Sequence, residues 1–240
     1  MNTNQYIDGE YLKKVEDWHE GDSYWKAHKV LKMMQKHKLA PNSIYDIGCG
    51  AGEVLAEIQK NTDIGIDIKG FDISPQAISI ANKKEKTNLK FYNEDFLEST
   101  VISPDLLLLL YVFEHISDYR GYLDMLRRKA DRIIFHIPLD ITAKEVLRKS
   151  DYMVYMRHTY GHLHFFTKET ALITLTDSGY EIVDYFYTDE LELEDNPKWI
   201  KPKLAYGIKK MMFHLNPEFT ASLFNGYNLL VLARGDKRKE

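Results

Sequence analysis

The segment Ser43 to Gly52, Ser-Ile-Tyr-Asp-Ile-Gly-Cys-Gly-Ala-Gly, limits the possible folds of this chain more than any other part of it. An apolar run that reads as a buried strand enters a turn with glycines at alternate positions. A helix then follows, from about Ala51 to Lys60. Glycine has no Cβ and accepts positive φ, so such a turn lets the backbone press against a ligand. The first N–H groups of the helix point back at the turn. The spacing is G-x-G-x-G, whereas a dinucleotide fingerprint is G-x-G-x-x-G/A. Glu53 stands where the third small residue of that fingerprint belongs. A carboxylate is a poor neighbour for a pyrophosphate, and a guest with a positive centre beside its ribose suits the turn better.

Two acids extend this reading. Asp46 lies near the end of the first strand, aimed at the turn, where it can meet a cationic ligand. A second strand, Lys69 to Ile73, ends at Asp72, a little more than the usual distance after the loop for an acid that holds a ribose diol. Ser74 and Pro75 read as the N-cap and first residue of the next helix. S-adenosylmethionine, with its sulfonium, amino group and ribose, answers this description. Further strands are expected at Asn88–Asn93, Leu106–Leu110, Arg132–Ile137, Tyr180–Tyr187 and Gly226–Arg234. Helices are expected from a Ser23 cap to about Lys38, from a Ser117 cap through Leu123 and Leu126, and from a Thr167 cap to Gly179.

The strings YDIGCGAGEVL, GFDISPQAISIA and FYNEDF, in this order and with these gaps, resemble the core of the class I S-adenosylmethionine-dependent methyltransferases. The resemblance extends roughly from Ser23 to Arg234. The later segments LLYVFEHISD and GHLHFFTKETALITLTDSGYEIVDYFYT are similar to members that modify small molecules and sugars. The resemblance implies an α/β, Rossmann-like doubly wound fold, with a mostly parallel seven-stranded sheet and an antiparallel last strand. It also implies that Gly48, Gly50 and Gly52 meet the methionine part of the cofactor and that Asp72 holds the ribose hydroxyls. Asp95 would bind the adenine amino group beside the N–H of Phe96. Ile73 would pack on the adenine face, and Leu110 and Tyr111 would flank the sulfonium.

Composition fits a single α/β domain. The chain has 240 residues, 44% hydrophobic and 28% charged, with a formal net charge of −4. That balance gives no footprint for nucleic acid. The longest apolar run, Leu106 to Phe113, is too short to span a bilayer. Cys49 is the only cysteine, which excludes an intrachain disulfide and points to a reducing cytoplasm. Its small side chain reads as filler for a crowded turn rather than as a nucleophile. Residues 1–42 read as an N-terminal helical cap and 43–240 as the cofactor-binding domain, with insertions near 140–165 and 189–224. The second insertion begins acidic (DELELED), read as solvated surface, and continues basic and apolar. A helical lid or dimer surface is expected there in preference to membrane contact.

Alkylating a hydroxyl requires a proton acceptor, and histidine is the commonest near neutral pH. His115, directly after strand four, is the first candidate catalytic residue. His136, inside strand five, is the second, with a satisfied core histidine as the competing reading. Arg157, His162 and His164 are candidate substrate-pocket residues, Arg157 as a partner for a substrate anion. The pair His162 and His164 lacks evident carboxylate or cysteine partners, so no metal is expected. Trp18, Trp25 and Lys26 could close over the cofactor or simply pack an N-terminal helix. The residues after strand four, Leu110 to Phe113, lack the Asn/Asp-Pro-Pro-aromatic sequence of enzymes that methylate nucleic-acid bases. The expected activity is transfer of a methyl group to a small molecule, with a sugar or other polar metabolite hydroxyl as acceptor. An amine acceptor, a catalytically inactive binding protein and a nicotinamide oxidoreductase are the alternatives.

Overall fold

The computed structural model describes residues 20–100, 103–193 and 203–236. In chain order the elements are α1 (Glu20–Lys36), β1 (Ser43–Ile47), α2 (Glu53–Lys60), β2 (Asp67–Phe71), α3 (Pro75–Ala81), β3 (Leu89–Tyr92), β4 (Leu106–Leu110), α4 (Tyr119–Leu126), β5 (Arg132–Pro138), α5 (Ala143–Arg148), α6 (Tyr152–Thr159), α7 (Lys168–Asp177), β6 (Glu181–Asp189), α8 (Lys203–Leu215), α9 (Pro217–Leu223) and β7 (Tyr227–Arg234).

The described strands form one seven-stranded sheet in the order β3-β2-β1-β4-β5-β7-β6. Neighbours are parallel from β3 to β5, and β7 runs antiparallel to both β5 and β6. The order reverses between β1 and β4, where Ile47 pairs with both Phe71 and Leu109. Crossover connections diverge at this point and leave a crevice at the carboxyl ends of the strands, where open α/β sheets bind ligands.

Side-chain alternation sorts the core into two layers. Tyr45, Ile47, Leu107, Leu109, Ile133 and Phe135 pack on one face with α4 and α7. Ile44, Leu106, Leu108, Leu110 and Ile134 pack on the other with α1, α2 and α3. All five leucines of β4 are buried, as a strand covered on both faces requires. Each such side chain contributes about 1.5–3 kcal/mol by burial.

Several boundaries differ from the sequence reading. Helix α1 runs through Ser23, which is buried rather than capping, and Asp22 and Lys26 pair one turn apart. Helix α2 starts at Glu53 because Gly52 is left-handed, with φ 81°. Asp118, not Ser117, caps α4: its carboxylate accepts the Gly121 N–H at 3.0 Å, and a charged acceptor suits a helix N-terminus better. Helices α5 and α6 lie between β5 and α7, and α8 and α9 between β6 and β7. On α8, Phe213 stacks on Tyr227 at 4.9 Å, while Ile208, Met211 and Leu215 face solvent. No helix among the described residues is long and apolar enough to cross a membrane.

Candidate functional site

Beyond Ile47 the chain turns through Gly48, Gly50 and Gly52 at φ 70°, 55° and 81°. Neighbours exclude side chains here. A Cβ at Gly48 would lie 2.6 Å from Val112 Cγ2, and one at Gly52 would lie 2.6 Å from the Phe91 ring. The N–H groups of Gly48 and Cys49 donate to the Phe71 carbonyl at 2.8 and 3.1 Å, which ties the turn to the end of β2. Cys49 is buried, and that burial, with Asp72 and Asp46 nearby, pushes its thiol well above the usual range. It is therefore not poised as a nucleophile.

Asp72 completes this cradle. Its carboxylate accepts the Gly50 N–H at 2.9 Å and the Ser74 N–H at 2.8 Å. Burial nonetheless raises its pKa against those two bonds. A carboxylate has about four lone-pair sites, so two remain for a diol. Ser74 caps α3 through the Ala77 N–H, and half-buried Ile73 lies between Asp72 and Ser74. Asp95 uses Oδ1 to accept the Leu97 N–H at 2.9 Å, closing the turn after β3. Phe96 is 2% exposed, with its ring against Phe71 and Tyr45, so its side chain serves the core and only its main chain could serve a ligand.

Asp46 is 3% exposed, and its Oδ1 has no hydrogen-bond partner. Burial, then the Asp72 charge, pushes its carboxyl well above the usual range, and Lys26 partly offsets this. Tyr111 follows the buried Leu110 in a left-handed conformation, φ 58°. A bulky non-glycine residue reaches this region only when its surroundings hold it there. Its N–H donates to the His136 carbonyl at 2.9 Å. Its phenol is raised by burial and by the charges of Glu190, Asp22, Glu114 and Asp140. The Lys26 ammonium lies 4.4 Å over the ring and 3.0 Å from Asp22. An aromatic ring that already carries an ammonium over its face, and whose phenol feels four acidic charges, is an environment for a cation. Together with the glycine cradle and the orphaned Asp46 oxygen, it fits S-adenosylmethionine.

Trp25 is buried against His136, and its indole N–H donates to Glu192 at 3.1 Å. Lys29 pairs with the same carboxylate, and Glu190 accepts from Asn228 at 3.1 Å. The acidic run expected to be solvated surface is therefore partly structural, because α1 brings cations and an indole to it. Trp18 lies outside the described residues.

The structure separates the two candidate catalytic histidines. His136 is 1% exposed, with Nε2 bonded to Thr188 Oγ1 at 2.8 Å. Burial, with Lys26 and Lys29 adding to it, lowers its pKa well below the usual value. It lies in the seam under α1, against Trp25 and Tyr111.

His115 lies instead at the end of a short 3₁₀ turn, Phe113–His115. The loop after α6 crosses that turn, with Leu163 N–H and His164 N–H donating to the Glu114 carbonyl at 2.8 and 3.1 Å. This places the His162 ring 4.9 Å from that of His115, edge to face. His162 Nδ1 is 2.8 Å from Asp140 Oδ2, and the Tyr152 hydroxyl donates to Asp140 Oδ1 at 3.1 Å. Burial pulls the His162 pKa down, but the Asp140 bond and the Glu114 charge outweigh it, so the net direction is up. Glu114 is 0% exposed, and neither side-chain oxygen has a hydrogen-bond partner. Burial, partly offset by His162, raises its carboxyl to about 7.

His164 turns away from this group. Its Nε2 bonds the Ile116 carbonyl at 3.0 Å and its ring packs on Tyr119. With Tyr119, Met153 and Phe165 it lines a surface pocket of about 450 Å³. Arg157 is exposed on α6. Sequence reading missed Glu114, Asp140 and Glu190. An acid two residues after Pro138, at the carboxyl end of β5, was the available signal for Asp140.

A family model described as "Methyltransferase domain" matches residues 18–185, more than half of the chain. No curated protein matches the sequence. Solved structures with the same fold include magnesium protoporphyrin IX methyltransferase from Synechocystis PCC 6803 with bound S-adenosylhomocysteine. It is 16% identical with a TM-score of 0.60, over 92% of this chain and 86% of that one. The N-methyltransferase NodS from Bradyrhizobium japonicum WM9, also in complex with S-adenosylhomocysteine, is 17% identical with a TM-score of 0.55, over 88% and 87%. The plantazolicin methyltransferase BamL is 15% identical with a TM-score of 0.58, over 96% and 90%. The matched family, the strand order and the glycine cradle lead to one conclusion: the chain belongs to the methyltransferase-domain family and is a class I S-adenosylmethionine-dependent methyltransferase.

Proposed function

We propose that this enzyme methylates a hydroxyl of a small polar molecule such as a sugar. When bound, the cofactor supplies a methyl group activated by its sulfonium. The chain's residues then have to bind, orient, exclude water and accept a proton. In this reading Gly48, Gly50 and Gly52 take the methionine part, Asp46 its ammonium and Asp72 the ribose. Ile73, Asp95 and the Phe96 main chain take the adenine, and Leu110 and Tyr111 flank the sulfonium. Arg157, at the exposed rim, takes an anionic group of the substrate, and His164 lines its approach. His136 holds the seam beneath Tyr111.

One observation supports a hydroxyl acceptor above the rest. Glu114, His115, His162 and Asp140 converge where β4 and β5 end, directly after Tyr111. An oriented, buried group of this kind is what deprotonation of an alcohol needs, whereas a neutral amine already carries its nucleophilic lone pair. A second reading is favoured by the acids around Tyr111, which would also draw in a cationic amine.

The test is release of S-adenosylhomocysteine with matched panels of hydroxyl and amine acceptors. Turnover with hydroxyl compounds, lost in His115→Ala at nearly unchanged cofactor affinity, supports the proposal. Turnover with amines alone overturns it.

A further inference from the structure

We infer that Glu114, His115 and His162 form a binding site for a divalent first-row transition-metal ion beside the methyl-transfer position. The inference rests on the same cluster as the hydroxyl reading and deepens it. One ligand atom from each residue lies within 4.8 Å of the others. Around a tetrahedral ion with bonds of about 2.1 Å, donor atoms sit about 3.4 Å apart. The difference between the two spacings is within the reach of side-chain rotation.

Three features point to a cation rather than to packing. First, Glu114 is fully buried and neither oxygen has a hydrogen-bond partner, with His115 Nε2 no closer than 3.9 Å to Oε1, a costly state for a carboxylate unless a cation meets it. Second, Asp140 holds His162 through Nδ1, which leaves Nε2 as the atom offered to the cluster. Tyr152 in turn fixes Asp140 from the other side. A carboxylate behind an imidazole is the usual support of a metal-bound histidine, setting both tautomer and ring orientation. Third, the main-chain bonds from Leu163 and His164 to the Glu114 carbonyl lock the two halves of the cluster together across the fold.

The donor set names the class of ion. Two imidazoles and one carboxylate suit zinc, iron, cobalt or manganese, whereas magnesium and calcium prefer all-oxygen shells. Three protein ligands leave coordination positions open. An acceptor hydroxyl entering one of them would be acidified by the ion, which would stand in for a side-chain base, and its proton would pass to solvent water near neutral pH. The closely spaced His162 and His164 do not form the chelate, because His164 is committed to Ile116 and Tyr119.

The experiment is titration of chelator-treated full-length protein with cobalt(II), followed by its visible absorption and by calorimetry. We expect one ion per chain. Affinity should fall about 10- to 100-fold in Asp140→Asn and further in Glu114→Gln and His162→Ala, and stay unchanged in His164→Ala. S-adenosylhomocysteine affinity, measured on the same samples, reports whether each variant is folded. No uptake by wild type, or equal uptake by Glu114→Gln and His162→Ala, overturns the site. Dependence on His164 in place of His115 would do the same, since it would shift the ligands to the closely spaced pair. Chelator-treated protein that still methylates a hydroxyl at full rate overturns the metal and leaves the hydroxyl reading standing. Cobalt uptake with turnover of amines alone has the reverse meaning.

Discussion

Asp72→Ala tests the proposed ribose contact separately from the scaffold role of the same carboxylate. In the folded chain the carboxylate accepts two main-chain N–H groups, from Gly50 and Ser74, and has acceptor capacity to spare. Hydrogen bonds to a charged group are worth about 1.5–3 kcal/mol. Loss of the ribose contact should therefore weaken cofactor binding by roughly ten- to 150-fold. Stability should respond differently. Burial raises the Asp72 pKa despite its two bonds, so its charge is costly in the free protein. Relief from that cost offsets the lost bonds, and the melting temperature of the cofactor-free variant should move little. Asp72→Asn keeps one acceptor oxygen and should fall between alanine and wild type. Calorimetric titration with S-adenosylmethionine and S-adenosylhomocysteine, alongside thermal melts, measures both quantities. A loss of affinity under about threefold would refute the ribose assignment. A melting temperature that collapses together with affinity would mean that Asp72 is chiefly a structural link between the glycine turn and α3.

Gly52→Ala puts a Cβ 2.6 Å from the Phe91 ring at φ 81°. About 1–2 kcal/mol of backbone strain, plus the clash, should lower the urea midpoint and weaken cofactor binding; an unchanged midpoint would show that Phe91 can move aside. Leu108→Ala, in the fully buried β4, should cost about 2–5 kcal/mol in a denaturant melt and leave residual cofactor affinity near wild type at low temperature. His136 has a folded pKa well below its unfolded value, so its stabilisation is present above about pH 6.5 and is lost as pH falls toward the folded value. Below about pH 6.5, wild type should therefore lose stability more steeply than His136→Gln, and equal slopes in paired urea melts would contradict the burial argument. Lys26→Gln removes the ammonium over Tyr111 and leaves its acids unbalanced. It should raise the affinity for S-adenosylmethionine severalfold relative to S-adenosylhomocysteine, whose sulfur is uncharged; a fall in that ratio would mean Lys26 assists the cofactor's binding.

What could be read from the sequence was local or periodic. The Gly48-Gly50-Gly52 spacing, the apolar β4 and the Ser74-Pro75 helix start each state their geometry within a few neighbouring residues. Glycine, proline and unbroken apolar runs restrict the backbone wherever they occur. These signals placed the glycine turn, the buried strand and the acid at the tip of β2, and the resemblance they carry implied the doubly wound sheet and its cofactor crevice. The cluster at the ends of β4 and β5 could not be read this way, because its members are far apart in sequence. Glu114 meets His162 only because Leu163 and His164 hydrogen-bond to the Glu114 carbonyl. His162 is oriented only because Asp140 and Tyr152, from β5's end and α6, reach it. The His162–His164 spacing suggested a pair, but their side chains have opposite commitments, to Asp140 and to Ile116. Likewise, nothing local to Glu190 or Glu192 shows that α1 will bring Trp25 and Lys29 against the acidic run. Backbone preference acts over a few residues and was legible. Burial and pairing of charge across the fold are decided by which segments tertiary packing brings together, and only the structure supplies that.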